Sequence, residues 1–170
     1  MGKHGKEILN LDVEELINKL NEALAEEWLA YYQYWIGSRV IEGPMRTDIE
    51  PELQVHADQE LNHADMIANR IDQLGGTPVL SPADWMKLSK CEYMPPEDPY
   101  VEKILEQNLD AERCAIKRYQ DLANMTYGKD HTTYNLVTQI LDEEVEHEQE
   151  IEDWMGDIEI MKENWKKLRM

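Results

Sequence analysis

Positive charge is scarce in this chain. Seventeen lysines and arginines stand against 36 aspartates and glutamates, for a net charge of −19. A surplus of that size and sign argues against nucleic acid and anionic membrane as main partners, and it favours attraction of cations. Cysteine is scarcer still, with only Cys91 and Cys114. Two cannot build a disulfide scaffold, and neither CxxC nor CxxCH occurs. That removes rubredoxin-type iron sites, zinc ribbons and c-type haem attachment. No apolar run approaches the ~18 residues of a membrane span. The start, MGKHGKEILNLDVEEL, has no apolar signal core, so a cytoplasmic location is expected. Gly-rich phosphate loops and a GxSxG elbow are also absent.

What remains is a chain of 170 residues, 42% of them hydrophobic. This is too apolar for a disordered acidic tail. It is long enough to fold as one domain over 1–170 without a metal or disulfide to hold it. Glycine and proline cluster at Gly43-Pro44, Asp48 to Pro51, Gly75 to Pro82, Pro95 to Pro99, and Gly128. Between these breaks the apolar spacing is helical. It predicts long helices over about 12–41, 49–74 and 99–127, and a short one over about 82–90. A fourth long helix is predicted from about 130 or 131 to at least 155, with continuation through Gly156 to about 168 left open. Asp12, Asp48, Ser81 and Asp98 are the expected N-terminal caps, and Gly75 and Gly128 the stops. Helices of about 26 residues span roughly 40 Å, and four such rods make an all-α four-helix bundle.

The inner seams of these helices are apolar except near their middles. There the first helix carries Glu27, the second Glu60 and His63, the third Glu112 and the fourth Glu144 and His147. Three residues are nearly one helical turn, so each Glu-x-x-His pair projects from one face. A buried carboxylate is costly unless paired or metal-bound. Four carboxylates carry about −4, two divalent cations carry about +4, and two neutral imidazoles leave the sum unchanged. The balance points to a dinuclear metal site. Carboxylate-rich ligands favour iron or manganese, with zinc as a further occupant. His56, one turn before Glu60, reads as a satisfied core histidine or a group behind the ligands. Tyr34 is either a donor to a ligating carboxylate or aromatic packing. Trp28, Trp35, Trp154 and Trp165 read as core or interface packing. Glu143, Glu146, Glu148 and Glu150 read as a solvated acidic face.

At these residues the chain resembles a known family. Glu27-Trp28-Leu29-Ala30 with Gln33-Tyr34 is similar to the first-helix motif of bacterioferritins. Glu60-Leu61-Asn62-His63-Ala64-Asp65 resembles their second-helix motif, and Ile140 to His147 their fourth. The resemblance implies a ferritin-like fold, a ferroxidase centre and a hollow cage. It carries Glu27, Glu60, His63, Glu112, Glu144 and His147 over as ligands of two irons per chain. Glu106 and Asp110 are local competitors for the third-helix position. Bacterioferritins bind haem through a Met directly after the second-helix Glu. That position is Leu61 here, so no haem is expected. The short helix before the third long one is a feature of Dps proteins. Glu112-Arg113-Cys114 and Cys91 to Pro96 resemble the Dps-like proteins called thioferritins. These pair a bacterioferritin-type site with two neighbouring cysteines in a dodecameric shell. Cys91 and Cys114 are accordingly read as a disulfide or redox pair, with two buried thiols as the plainer alternative.

The expected function is a ferroxidase that oxidises Fe(II) with hydrogen peroxide or dioxygen, stores ferric iron in a homo-oligomeric cage and so protects against oxidative stress. A cage of 24 subunits, a non-mineralising di-iron peroxidase or oxygenase, and a metal-free structural bundle are the alternatives. The lack of a separate fifth helix favours the dodecamer. Lys3, His4 and Lys6 make a short basic start resembling the DNA-binding tails of some Dps proteins. Against net −19 it is too little for DNA binding.

Overall fold

The computed structural model describes residues 2–169. Its elements are α1 (Lys3–Glu7), α2 (Val13–Val40), α3 (Arg46–Leu74), α4 (Trp85–Leu88), α5 (Val101–Thr126) and α6 (His131–Leu168). A single 3-10 turn, Pro82–Asp84, leads into α4. The all-α, ferritin-like bundle with a short helix in its long connection is the expected fold. The added α1 is not foreseen from the sequence, and the side chains of Lys3 and Lys6 lie outside the described residues. Among the described residues no helix is long and apolar enough to cross a membrane.

Several ends follow from local chemistry. Asp12 caps α2 by accepting from Glu14 N and Glu15 N, each at 3.0 Å. Gly75 ends α3 in a left-handed conformation (φ 83°), and its N–H and that of Gly76 close onto carbonyls of the last turn. Ser81 caps the 3-10 turn through the Ala83 N–H. Asp130 caps α6 by accepting from Thr132 N and Thr133 N, each at 3.1 Å. The helix then runs unbroken through Gly156.

Three ends differ from expectation. Helix α3 begins at Arg46 behind Met45, which takes a left-handed conformation (φ 59°), and Asp48 is not its cap. The earlier turn places Ile49 in the core, 1% exposed, and leaves Pro51 inside the helix. Helix α5 begins at Val101 rather than Pro99. The preceding strand-like residues are bound to the chain leaving α2, with Glu42 N on Pro99 O and Val101 N on Glu42 O, both at 2.7 Å. Asp98 accepts from Tyr100 N within that approach instead of capping the helix. Helix α4 stops at Leu88, where Ser89 turns extended and its Oγ accepts from Cys91 N at 3.1 Å, and its first residue Trp85 stacks flat on Trp28 at 5.2 Å.

Short links make α2 with α3 and α5 with α6 neighbouring pairs, while residues 75–100 cross between them. The apolar core has two parts. One gathers Leu16, Leu20, Ile67, Ile71, Leu122, Val137 and Ile140; the other gathers Ile49, Leu53, Ile104, Leu105, Ile151 and Ile158. Each fully buried aliphatic side chain contributes about 1.5–3 kcal/mol. Between the two parts lies a buried polar layer at mid-bundle. Trp165 is not core: it is 65% exposed on the overhanging end of α6.

Candidate metal centre

The polar layer consists of Glu27, Glu60, His63, Glu112, Glu144 and His147, none more than 2% exposed. All four long helices contribute to it. Their side chains form two overlapping groups. Glu27, Glu60, His63 and Glu144 each offer a donor atom within 4.8 Å of the others, and so do Glu60, Glu112, Glu144 and His147. Glu60 and Glu144 belong to both. His63 Nδ1 lies 3.3 Å from Glu60 Oε2 and from Glu144 Oε1, and 3.4 Å from Glu27 Oε2. His147 Nδ1 lies 3.4 Å from Glu60 Oε1 and 3.7 Å from both Glu112 and Glu144. Both imidazoles thus turn Nδ1 inward. Glu106 and Asp110 face outward, Glu106 on Lys103 at 2.5 Å.

The layer fits cations better than it fits itself. Glu27 Oε2, Glu60 Oε1, Glu112 Oε2, both Glu144 oxygens and His147 Nδ1 are buried without a hydrogen-bond partner. Burial without a partner is expensive for such groups, and several aimed at one point have the chemistry of a cation ligand set. Burial pushes the carboxyls of Glu27 and Glu112 well above the ordinary range. Burial acts the same way on Glu60 and Glu144, but the facing imidazoles hold both below it. Burial would lower His63 and His147; the surrounding glutamates instead raise His63 strongly and push His147 up to about 12.

A second ring of residues orients the first. Tyr34 on α2 donates its hydroxyl to Glu112 on α5, and Tyr119 on α5 donates to Glu27 on α2. Burial raises both phenols well above their usual range, so they remain donors. His63 Nε2 is bonded to Glu143 at 2.8 Å, and His147 Nε2 to Gln59 at 3.1 Å. His56 stacks on His147 at 4.1 Å between centroids, and its Nε2 is bonded to Glu150 at 2.7 Å. Burial lowers its pKa, helped by the neighbouring His147.

Glu143 and Glu150 are therefore not simply solvated. Each anchors a buried histidine, while Glu148 pairs with Arg113 at 2.9 Å and Glu146 is exposed. Tyr119, Gln59 and Glu143 are the functional neighbours that sequence reasoning missed. The available signal was repetition: Tyr34 and Tyr119 each follow a seam glutamate by seven residues.

Cys91 and Cys114 are joined in a disulfide with Cα atoms 5.7 Å apart. It fastens the 89–94 loop to α5 two residues beyond Glu112. The loop is held twice more from α2. Glu26 accepts from Lys90 N at 2.8 Å, and Gln33 accepts from Met94 N at 3.0 Å. Arg118 fixes Glu26 in turn, at 2.8 Å. Under this loop a narrow cavity of ≈ 30 Å³ reaches Glu27, Glu60, Glu112 and Glu144, with Gln33, Cys91 and Tyr93 in its walls. It has room for a water or two, given the ~10–15 Å³ each needs.

The ferritin-like domain family matches residues 17–161. A DNA protection during starvation protein of Pyrococcus furiosus is 35% identical over 153 residues, which is 87% of this chain and 82% of the relative. Among solved structures, a dodecameric thioferritin, the bacterioferritin-related protein of Bacteroides fragilis, superposes with a TM-score of 0.94 at 50% identity. The match covers 96% of this chain and 98% of that one. A ferritin-like di-iron-carboxylate protein of Bacillus anthracis superposes with a TM-score of 0.74 at 27% identity, over 86% of this chain and 99% of its own. With this domain match, this bundle and this mid-bundle carboxylate layer, the chain belongs to the ferritin-like family, as a homologue of Dps proteins with a thioferritin as structural neighbour.

Proposed function

We propose that the chain is a ferroxidase subunit of an iron-storing cage, with Fe(II) as its substrate. The observation that carries this reading is the pair of overlapping four-residue groups with unpartnered oxygens. Two Fe(II) bind per chain. Glu27 and His63 serve one, Glu112 and His147 the other, and Glu60 and Glu144 are shared. The same ligands accept Mn(II) or Zn(II). Bound side by side, the two irons supply a two-electron couple, so hydrogen peroxide is reduced to two hydroxide ions without release of a radical. With dioxygen, the same two electrons and two protons yield hydrogen peroxide.

The remaining chemistry is the chain's own. Tyr34 and Tyr119 hold the outer carboxylates Glu112 and Glu27 in place. Glu143 and Gln59 fix the imidazoles so that Nδ1 points at the metal. The narrow cavity beside the disulfide admits the small oxidant and excludes larger reductants. Leu61, where a bacterioferritin carries its haem-binding Met, supports a cage without haem.

The 170 residues act as one ferritin-like unit in a homo-oligomeric shell, read as a dodecamer from the 50% identity to the thioferritin. Ferric product passes into the shell, which joins iron storage to peroxide defence in the cytoplasm. Net −19 suits iron uptake and does not suit DNA. The test is to load the assembled protein anaerobically with Fe(II) and mix it with either oxidant. The reading expects two Fe(II) oxidised per peroxide, no spin-trapped hydroxyl radical, and growth of a ferric mineral on further cycles. Oxidation at the rate of free Fe(II), or radical release, would contradict it.

A further inference from the structure

The site repeats one pattern in two halves. On α2 and α5, Glu27 with Tyr34 matches Glu112 with Tyr119, and each tyrosine donates to the other helix's glutamate. On α3 and α6, Gln59-Glu60-x-x-His63 matches Glu143-Glu144-x-x-His147. The residue before each shared glutamate reaches across to the opposite imidazole. Glu143 binds His63 Nε2 at 2.8 Å, and Gln59 binds His147 Nε2 at 3.1 Å. The inner donors of the two halves are the same in kind, three carboxylates and one Nδ1 each. The symmetry breaks at positions 59 and 143, where a neutral amide stands opposite a carboxylate. His56 stacks on His147 but bonds to Glu150 and to neither nitrogen of that ring.

A carboxylate behind a ligating imidazole strengthens it as a donor and brings a further negative charge toward the cation. Changing such a partner alters metal affinity about 10–100-fold. An amide orients the ring equally well and adds no charge. We propose that the two metal positions are unequal, that the one on His63 fills first with a divalent cation, and that Glu143 is the positioning residue that sets this order. The inference rests on the two-metal reading above and goes beyond it, because that reading holds equally for a symmetric site.

Shared carboxylates and repulsion between ions spread two binding steps apart in any dinuclear site, so the location of the first ion is the decisive readout. The metal-free full-length protein is given one Co(II) per chain under nitrogen and crystallised, and the two positions are compared by anomalous scattering. Wild type should show the ion beside His63, with occupancy about tenfold or more above that beside His147. Glu143→Gln should even the two and weaken the first step of a Co(II) calorimetric titration by about tenfold. Gln59→Glu should even them from the other side by strengthening the second step. Equal occupancy in wild type, preference for His147, or a bias that survives Glu143→Gln would overturn the proposal. Absence of any bound Co(II) would overturn the two-metal reading as well.

Discussion

The hydroxyl of Tyr119, on α5, donates to Glu27 Oε1 on α2 at the centre of the bundle. Glu27 has no other partner for its second oxygen, Oε2, which faces His63. One oxygen is therefore tied down and the other left for a cation. Tyr119→Phe keeps the ring and its packing but frees the first oxygen. We expect a folded protein whose affinity for Zn(II) or Co(II) falls by about tenfold. Tyr34→Phe should act alike through Glu112. Calorimetric titration of metal-free protein measures both, and unchanged affinity would mean that the phenols merely pack.

Filling the site should release protons. Burial raises the carboxyls of Glu27 and Glu112, and the glutamates around His63 and His147 raise both imidazoles against the effect of burial. Divalent cations compete with protons for all four groups, so metal binding should release protons near neutral pH. Affinity should accordingly rise with pH. Titration in buffers of differing ionisation enthalpy counts the protons, and a count near zero would contradict this expectation.

The Cys91–Cys114 bond closes a loop with a sequence separation of 23. By the chain-entropy account it stabilises the fold by about 3 kcal/mol. Reduction, or Cys91→Ser with Cys114→Ser, should lower the urea midpoint by a matching amount. The 89–94 loop should also exchange its amide hydrogens faster, because it then loses its covalent tie to α5 and keeps only weaker contacts such as those of Glu26 and Gln33. Hydrogen exchange followed peptide by peptide reads this directly.

Asp130 has two tasks at the start of α6. It caps the helix and pairs with Arg70 Nη2 at 2.7 Å, with both side chains at most 8% exposed. Breaking a buried pair on one side costs about 3–5 kcal/mol. Asp130→Ala should show that loss in urea unfolding near neutral pH. Although burial opposes it, bonding to Thr133 and Arg70 lowers the folded pKa of Asp130. Its contribution is therefore complete above its unfolded pKa of about 3.9 and is lost as pH falls through the lower folded value. The gap between wild type and variant should narrow only in that acid range.

The bundle was legible in the sequence because its signals are local. Asp12, Gly75 and Asp130 mark helix ends through their own hydrogen bonds, and the seam glutamates interrupt otherwise apolar helical spacing. The gathering of Glu27, Glu60, His63, Glu112, Glu144 and His147 followed from that register. Met45 gave no local signal. The start of α3 is set by burial of Ile49 and not by a capping side chain, and a tertiary demand of that kind has no short motif. Glu143 and Gln59 were hidden for a related reason. Each stands one residue before a seam glutamate, a position that faces sideways on its own helix and acquires a role only from the imidazole across the bundle. The loop held by Glu26 and Gln33 depends on contacts across more than 60 residues.

On the proposed function, the buried carboxylates hold two irons per chain. An anaerobic titration of metal-free protein with Fe(II), counting tight sites per chain, tests it most directly. About two tight sites per chain are expected, with both weakened in Glu60→Ala because Glu60 belongs to both groups. A chain that binds no Fe(II) tightly, or one whose tight sites survive Glu60→Ala, would contradict it.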